Sequence, residues 1–228
     1  MFHKKTRDEH GLFIMEGVKI ISELLQSDFI IEKIYALESY TQQHQQIKNI
    51  VTVQPYELEK ISSLTTPNQA LAIVRQKKIN SEPVVKNYIT LVLDEIQDPG
   101  NMGTILRIAD WFGVQQIIAS ENSVDIYNPK TVQSSMGSVL RVNVWYKDLA
   151  EWLPTANIPV YGAMLHGKNL YEMSAIKEAV LVIGNESQGI HQNIAKHIHH
   201  AVTIPKKGKA ESLNAAVATG IILSHLAG

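Results

Sequence analysis

Cysteine is absent from the 228 residues, which removes disulfide frameworks, thiolate nucleophiles and cysteine-ligated zinc in one step. Also missing is any apolar run near the ~20 residues that a bilayer-crossing helix needs. Met1-Phe2-His3-Lys4-Lys5 lacks the apolar core of a secretory signal, so a cytoplasmic protein with no membrane partner is expected. Charge of one sign is missing too: 21 Lys+Arg stand against 22 Asp+Glu, a formal net charge of −1. Phosphate neutralisation usually leaves a basic excess, so this balance argues at first against a nucleic-acid partner. Residues 1–80 hold ten Lys/Arg and nine Asp/Glu, the remainder eleven and thirteen; any RNA-binding surface must be a local patch. At 45% hydrophobic the chain can bury a full core, and disorder is excluded.

Residues 1–76 read as short alternating helices and strands. Val18, Ile21, Leu24 and Leu25 repeat at a helical period. Strands are expected at Ile34 to Leu37, Ile50 to Val53 and Leu71 to Val74, with helices at Gln42 to Lys48 and Tyr56 to Leu64. The polar, proline-terminated stretch inside 77–87 reads as a linker. From residue 88 to 228 the strands grow longer and apolar on both faces, as a covered parallel sheet requires. They are expected at Ile89 to Leu93, Gln116 to Ala119, Val142 to Trp145, Val160 to Ala163, Val180 to Ile183 and Val202 to Ile204. The whole is an α/β protein with a small N-terminal and a larger C-terminal unit.

Three stretches can carry chemistry. In the first, a strand ending at Leu93 passes through Pro99-Gly100 into a helix with Ile105, Ile108, Ala109 and Phe112 on one face. Asn101 is a plausible N-cap. Gly103 and Arg107 share the opposite face, so Arg107 is expected to lie across the bare backbone at Gly103, where a helix N-terminus and a guanidinium would together favour phosphate. An ordinary strand-turn-helix with an exposed arginine explains the same residues. Dinucleotide binding is the other rival, with Glu121 some twenty residues on as the ribose acid, but Gly100-x-x-Gly103 lacks the glycine spacing that it needs.

In the second stretch an apolar strand runs into Gly184-Asn185-Glu186-Ser187-Gln188-Gly189. A carboxylate between glycines at a strand's C-terminal end is where open α/β sheets bind small molecules. The third runs from Ile204-Pro205 through Lys206, Lys207 and Lys209 to Ser212-Leu213-Asn214, then into a helix apolar almost all round. Such a helix must be buried in the domain or against a partner subunit. Ser212 is a natural N-cap for it; burial alone does not explain Asn214. His197, His199 and His200 read as surface or interface residues rather than a metal site, and Trp111, Trp145 and Trp152 as core or interface residues.

Taken together and in this order, the stretches resemble the SpoU/TrmH family of RNA ribose 2′-O-methyltransferases, within the SPOUT superfamily. Asn101, Gly103 and Arg107 match the family's first motif; Gly184, Glu186 and Gly189 match its second; Ile204, Pro205, Ser212, Leu213 and Asn214 match its third. Gly11-Leu12-Phe13, Glu16-Gly17 and Thr66-Pro67 resemble the ribosomal-protein-type RNA-binding module that many members carry. The resemblance implies a mostly parallel sheet closed by a C-terminal trefoil knot, S-adenosylmethionine as cofactor, RNA as substrate and a homodimer through the C-terminal unit. It implies cofactor contacts at Gly184, Asn185, Glu186, Ile204 and Leu213, and no metal. It implies that Arg107, Ser212 and Asn214 act on the RNA, with Glu186 and Asn101 beside them. The extra module favours ribosomal over transfer RNA. A catalytically silent RNA-binding protein of the same fold is the alternative, and a nucleotide-dependent oxidoreductase a weaker one.

Overall fold

In the computed structural model, residues 1–227 are described; Gly228, the last residue of the expected C-terminal unit, lies outside them. The N-terminal elements are α1 (Lys4–His10), β1 (Leu12–Glu16), α2 (Val18–Leu24), β2 (Ile31–Ala36), α3 (Glu38–Gln43), β3 (Ile50–Thr52), α4 (Pro55–Ile61) and β4 (Ala70–Arg75). They build a four-stranded sheet in the order β1-β4-β2-β3, in which only β2 and β3 run parallel. Two expectations are corrected. The polar helix occupies Glu38–Gln43 rather than Gln42 to Lys48, because its one buried side chain is Tyr40. The chain also opens with a helix and a strand, α1 and β1, that local periodicity does not signal.

Residues 76–88 form no regular element. Beyond them come β5 (Ile89–Leu93), α5 (Pro99–Trp111), β6 (Gln116–Ser120), α6 (Pro129–Ser135), β7 (Asn143–Lys147), α7 (Leu149–Trp152), β8 (Val160–Asn169), β9 (Ala179–Ile183), α8 (Gln192–Ala195), β10 (His200–Thr203) and α9 (Ala215–Leu226). Their six strands are ordered β10-β8-β9-β5-β6-β7, and every neighbouring pair is parallel. Leu91, Val92, Leu93 and Val180, Leu181, Val182 are buried on both faces, which is why these central strands read as unbroken apolar runs. The order reverses between β5 and β9, so their C-terminal ends bound the crevice where such sheets bind ligands.

Against β10, β8 pairs at Gly162 with Ala201 and then at Lys168 with Val202, so residues 163–167 loop out of the ladder. Although β10 is the edge strand, the helix that follows it, α9, packs against α5 near the centre of the sheet.

Gly103 is explained by packing. A Cβ there would lie 1.9 Å from Ser134 Oγ, 2.5 Å from the Thr131 carbonyl oxygen and 2.8 Å from the Ser135 amide nitrogen. The expectation that Arg107 covers this backbone is therefore overturned: α6 fills the space over Gly103, and Arg107, one turn further along α5, is exposed. Two of the three obstacles are backbone atoms, which cannot rotate away. Gly103→Val is expected to lose about 1–3 kcal/mol through overpacking, measured as a shift of the urea midpoint; an unchanged midpoint would show that α5 and α6 part without cost.

Candidate active site

Asp98, not Asn101, caps α5. Its side chain accepts from the Asn101 amide at 2.8 Å, and Pro99 follows at the first helical position, where a missing N–H costs nothing and φ is already set. The backbone bond from Asn101, reinforced by Lys130, lowers the Asp98 carboxyl below its ordinary range. A depressed folded value means that this cap stabilises the helix fully above the usual carboxylate range and is lost as pH falls through the folded value. Asn101 lies two positions into the helix, and its side chain is free for other work.

That side chain joins the three sequence stretches. Asn101 Nδ2 donates to Glu186 Oε1 at 2.9 Å, and Asn101 Oδ1 accepts from Asn214 Nδ2 at 2.8 Å. Asn214 Oδ1 in turn accepts from the Ala216 and Val217 amides at 2.9 and 3.2 Å. The N-cap of α9 is thus Asn214, and the capping role expected of Ser212 is corrected; Ser212 is exposed and two residues ahead of the cap. The chain Glu186–Asn101–Asn214 fixes which way each amide points, because every oxygen and nitrogen has a partner of the opposite sense. Glu186 engages Asn101 through one oxygen, and among the described residues the other makes no hydrogen bond.

Around Glu186 the loop is held by its own backbone. The Asn185 and Gly189 amides and carbonyls bond each other at 2.9 and 3.0 Å, and Asn185 Oδ1 accepts from the Ser187 and Gln188 amides. Asn185 Nδ2 donates to the Glu95 carbonyl oxygen at 2.8 Å, tying the exit of β9 to the exit of β5. Gly184 is buried, and a Cβ there would meet the backbone of Gly189 and Ile190 at 2.3 to 2.6 Å. Sequence reading missed the pair behind this loop. Asp94, 3% exposed, accepts from the His191 amide at 2.8 Å and holds its Nδ1 at 3.1 Å. A carboxylate directly after the apolar run Leu91-Val92-Leu93 is the available signal, since a buried charge needs partners.

The remaining residues lie on open surface. Arg107 is exposed, and among the described residues its guanidinium makes neither a hydrogen bond nor an ion pair. Residues 206–213 carry no regular structure and are exposed, among them Lys206, Lys207 and Lys209; Leu213 is 48% exposed, and Ile204 is partly buried against the core. The backbone groups of 206–213 have no partner within the described chain. An apolar side chain beside unpaired backbone donors and acceptors, next in sequence to the Asn214 that is linked through Asn101 to Glu186, has the chemistry to hold a flat heterocycle by shape and by edge hydrogen bonds. The fit to an adenosyl group therefore rests on these atoms. Of the three tryptophans expected in the core or at an interface, Trp152 is buried, Trp145 donates to the Ser81 carbonyl oxygen, and Trp111 is 83% exposed, outside the core.

Comparison with known proteins follows the same division of the chain. Residues 88–224 match the model of the SpoU rRNA methylase family, and residues 1–72 match the MRM3-like substrate binding domain. The 23S rRNA (guanosine(2553)-2′-O)-methyltransferase RlmP of Bacillus subtilis is 29% identical, over 99% of this chain and 92% of its own. A protein ascribed to the TrmH family of RNA methyltransferases from Porphyromonas gingivalis superposes with a TM-score of 0.86 at 36% identity, over 97% of this chain and 92% of its own. An AdoMet-bound rRNA methyltransferase from Sinorhizobium meliloti superposes with a TM-score of 0.85 at 28% identity, over 97% and 89%. Among the described residues no helix is long and apolar enough to cross a membrane.

Proposed function

Because the chain belongs to the SpoU rRNA methylase family, we propose that it transfers a methyl group from S-adenosylmethionine to a ribose 2′-hydroxyl of structured RNA, ribosomal rather than transfer RNA. The observation that carries this reading is the hydrogen-bonded chain Glu186–Asn101–Asn214, which brings all three sequence stretches together at the start of α5, the helix that also carries the unpaired Arg107. The named activities of the Bacillus relative and the substrate-binding module at residues 1–72 support ribosomal RNA.

When bound, S-adenosylmethionine supplies a methyl carbon activated by its sulfonium, so the chemistry asks no metal of the protein. Gly184, Asn185, Glu186, Ile204 and Leu213 are the residues assigned to hold it. Arg107 has two tasks in this reading: it binds the phosphate next to the target ribose and stabilises the negative charge that grows on the 2′-oxygen as its proton leaves. A guanidinium has no lone pair to accept that proton, which at this exposed site passes to water. Asn214 keeps one N–H beyond its bond to Asn101 and, with the Ser212 hydroxyl, orients the ribose. Glu186 holds Asn101 in register rather than taking the proton. Lys206, Lys207 and Lys209 meet flanking phosphates.

The finer architecture belongs to the same reading. The division into 1–76, 77–87 and 88–228 is supported by the two family matches and by the irregular chain at 76–88. A trefoil knot is supported by the loop at 163–167 and by the return of α9 from the sheet edge to α5. The enzyme is placed in the cytoplasm, with ribosomal RNA. A homodimer is supported by two large apolar side chains left exposed on the packed helices α5 and α9, Trp111 at 83% and Val217 at 49%. Arg107 lies one helical turn from Trp111, so a second copy covering the tryptophan would border the active site. Trp111→Lys is expected to convert a dimer to a monomer in sedimentation velocity and to lower methyl transfer with it; an unchanged dimer would place the interface elsewhere.

The proposal is tested by mapping ribose methylation across total RNA from cells with and without the gene. Loss of one methyl in ribosomal RNA is the expected result. A loss confined to transfer RNA would correct the substrate, and no loss anywhere would favour the silent RNA-binding alternative.

A further inference from the structure

The N-terminal unit is joined to the six-stranded unit by more than a linker, and each joint leads to α5. Arg7, 2% exposed, donates from Nε and Nη2 to Asp125 Oδ2 at 3.1 and 2.6 Å. Its third nitrogen, Nη1, bonds the Met1 and Phe2 carbonyls at 3.2 and 2.8 Å. Asp125 belongs to the turn before α6. Phe13 packs on Tyr127 in that turn with ring centroids 4.5 Å apart, and the Tyr127 hydroxyl bonds the backbone of Lys77. From there α6 lies directly on the bare backbone of Gly103 in α5.

A second joint is shorter. Arg141 Nη1 donates to Glu23 Oε2 of α2 at 2.8 Å, while its Nε donates to Asp110 Oδ2 at the same distance. Asp110 lies on α5, three residues after Arg107, and also accepts from Ser138 Oγ at 2.7 Å. The seat for Glu23 is shaped for it: a Cβ on Gly137, whose φ is 94°, would lie 2.3 Å from Glu23 Oε2.

Two units joined by an irregular linker move relative to each other unless specific contacts hold them. A buried ion pair is a weak source of stability, because desolvation offsets its attraction and apolar side chains of similar volume hold as well; fixing register is its better-attested use. We propose that Arg7–Asp125 and Glu23–Arg141–Asp110 form a clasp that sets the N-terminal unit at one position relative to Arg107, so that the unit acts as a ruler selecting which ribose of a folded RNA is methylated. These are positioning residues, and the proposal rests on the methyltransferase reading above.

The test uses the full chain, ribosomal RNA and S-adenosylmethionine. The absence of native cysteine allows a Glu23→Cys, Arg141→Cys double variant to be joined by a short bis-maleimide. Unlinked, this variant is expected to keep the wild-type affinity for S-adenosylmethionine and a wild-type melting temperature within a few degrees. Its kcat on the target RNA should fall about tenfold with KM little changed, and methyl groups should appear on neighbouring riboses. Linking should restore both rate and single-site transfer, which a loss of charge alone would not allow. Glu23→Gln, which keeps the shape of the seat, is expected to show the same broadening more weakly, and it serves where the double variant folds poorly. If the wild type methylates one ribose and the unlinked and Glu23→Gln variants do so at the same rate and site, the clasp is overturned. Absence of transfer by the wild type would overturn the functional reading beneath it.

Discussion

Arg107→Ala is expected to lower methyl transfer to RNA by about 10²–10³-fold, the usual cost of removing one preorganised donor from a developing oxyanion, while calorimetry finds S-adenosylmethionine binding unchanged. The separation follows from where the side chain stands. Arg107 is exposed on α5 and makes no bond to the Gly184–Gly189 loop, the 206–213 segment or any other described residue, so truncating it removes no support from the proposed cofactor contacts. It also costs little stability, since no buried partner is left behind. What is lost is a fixed positive charge with planar donors suited to phosphate and alkoxide, for which lysine is an imperfect substitute. Arg107→Lys is therefore expected to recover part of the rate and no more. Full activity in the alanine variant would remove Arg107 from the mechanism.

Gly184→Val should have the opposite profile, with cofactor binding abolished. Gly184 closes β9 directly beneath Gly189 and Ile190, and even a Cβ would stand 2.3 to 2.6 Å from their backbone atoms. Those atoms cannot yield independently, because Gly189 is doubly bonded to Asn185 and the next residue but one, His191, is anchored on buried Asp94. The side chain must displace the loop as a body, and with it Glu186 and its bond to Asn101. A loss of at least 100-fold in S-adenosylmethionine affinity is expected, read by calorimetry on protein whose circular dichroism remains native. Undiminished binding would move the cofactor away from this loop.

Much of the second sheet was legible because its central strands β5 and β9 are buried on both faces and run into Asp94 and Gly184: each of the six expected strands overlaps its observed place. What escaped was non-local. Helix α1 is polar, and its arginine is buried only because Asp125, 118 positions away, receives it. Gly103 looked like an approach for phosphate because nothing in the sequence says that α6 lies against it. The two caps were mislaid for a different reason. Asp98-Pro99 carries the signature of a capped start with proline at the first helical position, and Asn214 is as good a cap as Ser212, so local information was present but assigned to the neighbouring polar residue. Once Asn214 is the cap, its placement in an apolar stretch is explained, and its second amide function is what joins it to Asn101.

The near-zero net charge also changes meaning. A total of −1 does not exclude an RNA partner when Arg107, Lys206, Lys207 and Lys209 are all exposed; an enzyme that releases its product needs cations only where the strand crosses. RNA affinity carried by so few contacts should fall only gently with salt.

The atom that receives the methyl group defines the activity. Purified protein incubated with isotopically labelled S-adenosylmethionine and unmodified ribosomal RNA, followed by complete digestion and mass spectrometry of the nucleosides, reads it directly. A single ribose-methylated nucleoside whose label stays with the sugar on glycosidic cleavage is the predicted result. Label that leaves with the base would contradict the account.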